Sequence, residues 1–498
     1  MSRRRSGRWK AGGALAVLAS LCMIASSLPA QAVEPRAETR RLVGYVVSDP
    51  ELAKHPEKIV TALQRDGSLD ALGIKPVSRS EGGKTVLSPP PLQAVDDPPY
   101  VVDSAAFDRG AKPVEPYQYV QTPAECWGNT SVFHDAGWIK NRFSYCQLKM
   151  NWAVDLKCSI LRCRPIGYLA VFNTLIGYGK IGGDPAKPER RFADFQLLSE
   201  PIITNGTFDK PTARMKATFK CAGEYRIKNG DLGNGDACHP QAGRDSREDL
   251  LSAWKANPQT WFTLQSEGYP ASPQYGEQLA QGVFHTEYEF APDADITLNF
   301  AKSFEGGVRF DSADYLWDKQ GSIFDRAVPG LAFSKSDPKV GRHAKFVEES
   351  RANPGATWPA KADKKLLGGS PAHADSLHRV ARAKGHDIVL DRNRDTSEAA
   401  CKAAGMPAPL PDEPSPVDCD EYAYASTYEG AGDWLDPGKH TNDFAVRWVN
   451  HDHNTEAGRR LYSWYQTHRI LDVELLVPER HDALDPHDQE RFFIPITP

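Results

Sequence analysis

The sequence predicts a multidomain chain, with an N-terminal all-β, sandwich-like, disulfide-bonded domain followed by a smaller α+β block. Three observations predict this. Short segments of strict alternation, separated by turn residues, fill the region 115–345. Nine cysteines, less Cys22 in an N-terminal leader, leave eight, and six of those fall inside that region. Beyond residue 375 the pattern changes to strand and then helix around a run of acids. A length of 498 residues is also too great for one core.

Residues 1–32 read as a signal peptide. Arg3, Arg4, Arg5, Arg8 and Lys10 are followed by the nearly apolar run Ala11 to Leu28, and Ala30-Gln31-Ala32 fits a small-x-small cleavage site. Leu21 stands where a lipoprotein signal needs a small residue, and Ser6-Gly7 lacks the apolar pair of twin-arginine export. Sec export and an extracellular location are the expectation. No later apolar run is long enough to span a bilayer, so no stable membrane insertion is expected.

Residues 33–114 read as a propeptide or linker arm. Helical spacing over Ala53 to Leu72 gives way to Ser88-Pro89-Pro90-Pro91 and Asp96-Asp97-Pro98-Pro99. In 115–345, Met215, Ala217, Phe219 and Cys221 alternate with Lys216, Thr218 and Lys220. Phe284, Tyr288 and Phe290 then alternate with His285, Glu287 and Glu289, and Tyr168 to Tyr178 suits a central strand. Ser246 to Trp261 reads as a helical insert on Leu250, Leu251 and Trp254. Asp311, Asp314 and Asp318 lack the spacing of a calcium loop and read as a solvated acidic face. The domain's role is open; cell wall or glycan binding is one candidate. Residues 346–374, with Asn353-Pro354-Gly355 and Gly368-Gly369-Ser370-Pro371, read as a second linker before a block at 375–498.

An even cysteine count in an exported chain favours disulfides, and no Cys-x-x-Cys spacing supports zinc. Cys401 and Cys419 stand apart from the other six, so they are expected to pair with each other. The formal charge of −5 excludes a global basic field of the kind many nucleic-acid binders carry.

The chemistry concentrates in the last block. Asp418-Cys419-Asp420-Glu421-Tyr422 is followed by a small and aromatic segment, then by Glu429-Gly430-Ala431-Gly432. Phe444 to Val449 reads as a strand, and Asn454 as the cap of a helix whose buried face is Ala457, Leu461, Trp464 and Tyr465. Two acids and an asparagine are hard oxygen donors of the kind Mg²⁺ or Mn²⁺ takes. His451 and His453 read as a polar loop.

On these residues the block resembles the NucA/NucB-type secreted deoxyribonucleases. Their pattern is Cys-Asp-Glu-Tyr/Trp, a Gly-rich segment, then Asn and Gly at a helix start; Asp391-Arg392-Asn393-Arg394 followed by Cys401 extends the match upstream. The resemblance implies an α+β nuclease domain of the ββα-metal type acting on DNA. It implies Asp420 as general base, Asn454 as metal ligand, and Glu421 and Glu429 as further acids at the metal or water. The family's arginine after the asparagine is Thr455 here, so Arg447, Arg459 and Arg460 are the candidates for phosphate binding. Ala423 stands where most members have proline, and Asp433 to His440 is an insertion. Two rival readings remain: a degenerate nuclease fold in a cell-wall or glycan-binding protein, and the nuclease payload of an antibacterial toxin with a cognate immunity protein.

Overall fold

The computed structural model describes residues 38–81, 84–87, 98–108, 118–133, 137–159, 162–182, 191–226, 232–233, 237–267, 278–300, 305–382, 387–432, 443–472 and 490–498. The expected leader at 1–32, the proline runs before residue 98 and the expected insertion at 433–440 lie outside them.

Two antiparallel sheets build the N-terminal part. Among the described residues one has nine strands, with Arg191–Gly206, Cys163–Tyr178, Ser144–Cys158 and Thr39–Val47 side by side at its centre. The other has seven, built around Arg214–Arg226, Gln278–Ala291 and Gly306–Ser312. Their facing side chains form one aromatic core, in which Phe195 lies 4.7 Å from Phe219 and 4.8 Å from Phe284. Alternating residues on each strand supply that core, as the period of two requires. Three disulfides staple it: Cys126–Cys146, Cys158–Cys163 and Cys221–Cys238.

Residues 38–81 of the region expected to be an arm are part of this domain. Thr39–Val47 is an interior strand, paired with Pro76–Glu81 on one side and Ser144–Cys158 on the other. Leu42 faces the aromatic core, while Val43, Tyr45 and Val47 face a second core under Pro56–Asp66. With both faces covered, the strand shows no polar alternation to announce it. The helical insert is also shorter than expected: Ser246–Leu250 is a strand and only Leu251–Ala256 is helical.

The C-terminal part does not stand alone. Strand β1 (Pro99–Asp103) runs parallel to β2 (Val328–Ser334), which carries the last strand of the chain, Ile496–Thr497, on its other edge. Helix α1 (Gly341–Ala352) follows β2, and α2 (Asp387–Lys402) precedes the hairpin of β3 (Val417–Tyr422) and β4 (Ala445–Asn450). Helix α3 (His451–Thr467) begins directly after β4. Phe333, Phe346, Val347, Trp464 and Phe492 close one core from β2, α1, α3 and the C-terminal segment, while α2 packs outside it.

The expected linker at 346–374 is therefore folded structure. Phe346 and Val347 are buried in α1, and Trp358 accepts a backbone hydrogen bond from Val446 at 2.7 Å, extending the hairpin. The buried face of α1 includes His343 and Ser350, which dilute its apolar stripe and explain why it reads as linker. A buried ionic network then joins the two parts. Glu490 accepts from both Arg142 and Arg309, and Arg469 pairs with Asp311. Asp311 is thus a buried ion-pair partner rather than part of a solvated face. No helix among the described residues is long and apolar enough to cross a membrane.

Candidate functional site

A cleft of about 490 Å³ opens where α1, α2, β3 and α3 meet. Asp420 and Glu421 reach it from the end of β3, Asn454 from the first turn of α3, and Arg394 from α2. Their convergence follows from local structure. Cys401–Cys419 ties α2 to β3 one residue before Asp420, and the register pairs Asp420 with Arg447 across the hairpin. Chain direction then reverses directly into α3. The cap of that helix is Asn450, whose side chain accepts from His453 N at 3.2 Å, so Asn454 lies inside the first turn and is not the cap.

Asp420 is 2 % exposed and holds a partner that the sequence did not indicate. His343 Nδ1 lies 2.8 Å from its Oδ2, and His343 Nε2 lies 3.3 Å from the Tyr424 hydroxyl. The ring thus bridges the carboxylate and the phenol, one nitrogen facing each. The Tyr424 hydroxyl is pushed well above its usual range, first by burial, and so stays a donor. Nothing in the sequence around His343 marks it.

Glu421 turns toward the segment after the strand, where its Oε1 accepts from Ala425 N at 3.4 Å. Its pKa is pushed up to about 7, first by burial and then by the neighbouring Asp420 carboxylate, with Arg394 pulling the other way. A carboxyl that titrates near neutrality in a cleft has the property expected of a reacting or metal-binding group. Asn454 Nδ2 donates to the Cys419 carbonyl at 3.4 Å, which leaves its amide oxygen as the atom able to accept a hydrogen bond or ligate a cation.

Other candidates lie elsewhere. Glu429 is buried with both oxygens on His378, one 3.0 Å from its backbone N and the other 2.7 Å from Nδ1, and does not line the cleft. Arg447 shares the face of Asp420 but lies over the later turns of α1, where it pairs with Glu349 at 2.7 Å and covers the Phe346 ring. Arg459 is held by Glu456 and the Phe107 carbonyl, and Arg460 by Glu456 and Asp337. None of these three arginines lines the cleft. His451 pairs with Asp418 at 2.5 Å and His453 accepts from Arg342 N at 3.2 Å, both away from Asp420.

The positive charge at the cleft comes instead from Arg379, Arg382 and Arg394. Arg379 is spent on structure, buried against the Tyr315 and Tyr465 rings and donating to the Ile470 carbonyl. Arg382 pairs with Asp387 and Asp391 at the surface. Arg394 is exposed and makes no ion pair with another described residue. It belongs to the stretch Asp391 to Arg394, where the motif lies but gives no role to its arginine.

Asn393, its neighbour, fixes the Gly-rich segment. Its amide donates to the Ala425 and Thr427 carbonyls and accepts from Gly432 N, and a Cβ at Gly430 would come within 2.4 Å of it. Glycine is needed there for close approach.

Among the described residues, no group of three or more His, Cys, Asp or Glu side chains is placed to hold a metal ion. Any cation in the cleft would rest on few protein ligands. No protein-family model matches the chain, and no curated protein matches it.

Proposed function

We propose that the chain is a secreted, metal-dependent endonuclease that hydrolyses the phosphodiester bonds of DNA without marked sequence preference. The observation that carries this is the convergence of Asp420, Glu421 and Asn454 in one cleft, from a strand and from the helix that follows its partner strand. A hairpin leading into a helix is the order used by ββα-metal nucleases, and the NucA/NucB resemblance falls on the same three residues. Export agrees with the four disulfides, which need an oxidising environment to form.

The donors fit a hard divalent cation. Glu421 and the amide oxygen of Asn454 would hold Mg²⁺ or Mn²⁺, leaving its other positions to water and substrate phosphate. Adjacent carboxyls with Arg394 as the nearby countercharge also leave room for added positive charge. When bound, the cation supplies a Lewis acid at the phosphoryl group and offsets charge on the leaving oxygen.

The chain's own residues do the rest. Asp420, with one oxygen held by His343, takes the proton of the attacking water through the other. His343 fixes that carboxylate, and Tyr424 fixes His343. Arg394 offers charge-assisted hydrogen bonds to a phosphate at the cleft mouth. The sequence of the block carries no recognisable base-reading element, and little sequence preference is expected on that ground.

Plasmid degradation by the full mature chain tests the reading. Cleavage is expected with Mg²⁺ or Mn²⁺, abolished by EDTA and nearly abolished in Asp420→Ala. No cleavage with either metal, or equal cleavage by the variant, overturns it.

A further inference from the structure

Two large aromatic side chains stand exposed in contact with each other, one lining the cleft and the other beside it. Trp317 is 58 % exposed and Tyr462 50 % exposed, and their rings meet edge to face with centroids 6.0 Å apart. They come from different parts of the molecule. Tyr462 is on α3 and lines the cleft, whereas Trp317 sits in the turn between Gly306–Ser312 and Gln320–Ile323 of the seven-stranded sheet.

The turn is held in place independently of the Trp317 ring. Leu316 is buried against Leu279, Ala313 and Leu471, and Trp317 N donates to the Gln466 side chain of α3 at 2.8 Å. The backbone is thus pinned on both sides while the indole is presented to solvent. Holding two apolar rings in water gives up the burial that most such rings obtain.

Gly458 is a second, independent observation. It lies on the cleft side of α3 between Asn454 and Tyr462, and a Cβ there would meet nothing within 4 Å. Glycine inside a helix costs about 1 kcal/mol relative to alanine, and no packing among the described residues requires it here. An open strip therefore runs from Asn454 over Gly458 to Tyr462. At 1.5 Å per residue it is about 12 Å long, and Arg394 lines the same cleft. A strip with a cation in its cleft and aromatic faces at its end is the layout of a single-strand binding groove.

We propose that Trp317 and Tyr462 form a stacking subsite for an unpaired nucleobase of the substrate strand whose phosphate lies at Asp420 and Asn454. The β-rich domain thereby becomes part of the substrate site, and single-stranded or locally unpaired DNA becomes the more tightly bound substrate, with duplex DNA still bound and cut through its phosphates. The proposal rests on the nuclease reading above. A base paired within a duplex keeps both faces stacked on its neighbours and cannot lie on these rings, so duplex DNA should bind only through its phosphates.

Binding by the full chain in EDTA, where no cleavage occurs, tests the subsite apart from the chemistry. The probes are a fluorescent oligo-dT, the same oligomer carrying abasic positions, and a blunt duplex of equal length. Trp317→Ala and Tyr462→Ala should each weaken oligo-dT binding about 5- to 150-fold, the factor that corresponds to stacking one base on an aromatic ring. Both should leave abasic and duplex binding within about twofold, and Trp317→Phe should restore most of the loss. Unchanged oligo-dT affinity in both alanine variants, or equal loss on all three probes, overturns the proposal. A chain that cleaves plasmid but binds independently of both rings loses the subsite and keeps the nuclease reading. Ring-dependent binding of oligo-dT without cleavage under any metal condition has the opposite outcome.

Discussion

His343 and Asp420 share a buried 2.8 Å hydrogen bond although 77 residues separate them in sequence. One stands near the start of a helix in a stretch that reads as the edge of a linker, the other in the acid motif. Both are almost fully enclosed, at 1 % and 2 % exposed. A carboxylate in that setting needs a donor, and the ring supplies it.

Removing the ring should disturb Asp420 more than the fold. His343→Ala is expected to lower kcat about 10- to 100-fold, the usual cost of losing an orienting partner beside a metal site. KM for DNA should change little. Steady-state kinetics with a thermal melt of the same sample checks this, and unchanged kcat with a lowered melting temperature would make His343 purely structural.

Asn454 separates two roles cleanly because Asn450 already caps α3. With the cap intact, Asn454→Ala should cost little stability. It should instead raise the Mg²⁺ concentration needed for half-maximal activity and lower the activity reached. Metal titrations of variant and parent decide it; identical curves would remove Asn454 from the metal.

Glu421 gives a pH signature of defined sign. Its folded pKa, pushed up to about 7, lies above the unfolded carboxyl value of 4.5. Between those values the folded state binds more protons, so this group's contribution to stability is fully present below about pH 4.5 and is lost as pH rises through 7. Denaturant melts at pH 5 and pH 7.5 should show that loss in the parent, and Glu421→Gln should flatten it. Activity should move the other way, rising toward and above pH 7 as the carboxylate forms.

Reduction of Cys401–Cys419 should loosen the site before the β-rich domain. The bridge closes a loop spanning 18 residues, worth about 3 kcal/mol in the loop-entropy account. The double variant Cys401→Ser, Cys419→Ser should melt earlier and lose activity, and a double variant that melts with the parent would show that the bridge contributes nothing to α2 and β3.

The block 375–498 should not fold by itself. It lacks α1, with Phe346 and Val347 in the core, and β2, on which its last strand pairs. It also leaves Arg469 without Asp311 and Glu490 without Arg142 and Arg309. In the full chain, Glu490→Gln should cost about 3–5 kcal/mol, as breaking a buried charge pair does. A cooperative melt for isolated 375–498 would contradict this.

Strong local patterns were legible. The alternation of Met215 to Cys221 and of Phe284 to Phe290 marks strands that are present as Arg214–Arg226 and Gln278–Ala291. The isolation of Cys401 and Cys419 from the other six pointed to their bridge. The acid run and Asn454 stand on elements adjacent in sequence, so short chain segments suffice to bring them into one cleft.

What depends on distant burial was not legible. Thr39–Val47 is covered on both faces, and the buried side of α1 is partly polar, so neither carries the periodicity that identifies a strand or helix. Arg447, Arg459 and Arg460 are as basic in sequence as Arg394. Only the folded positions of Glu349, Glu456 and Asp337 bind those three elsewhere and leave Arg394 at the cleft. The sequence by itself determined which residue types could do the chemistry and the order of the elements that carry them. Tertiary structure decided which charges are spent on one another, because pairing depends on distance in space, and distance along the chain does not report it.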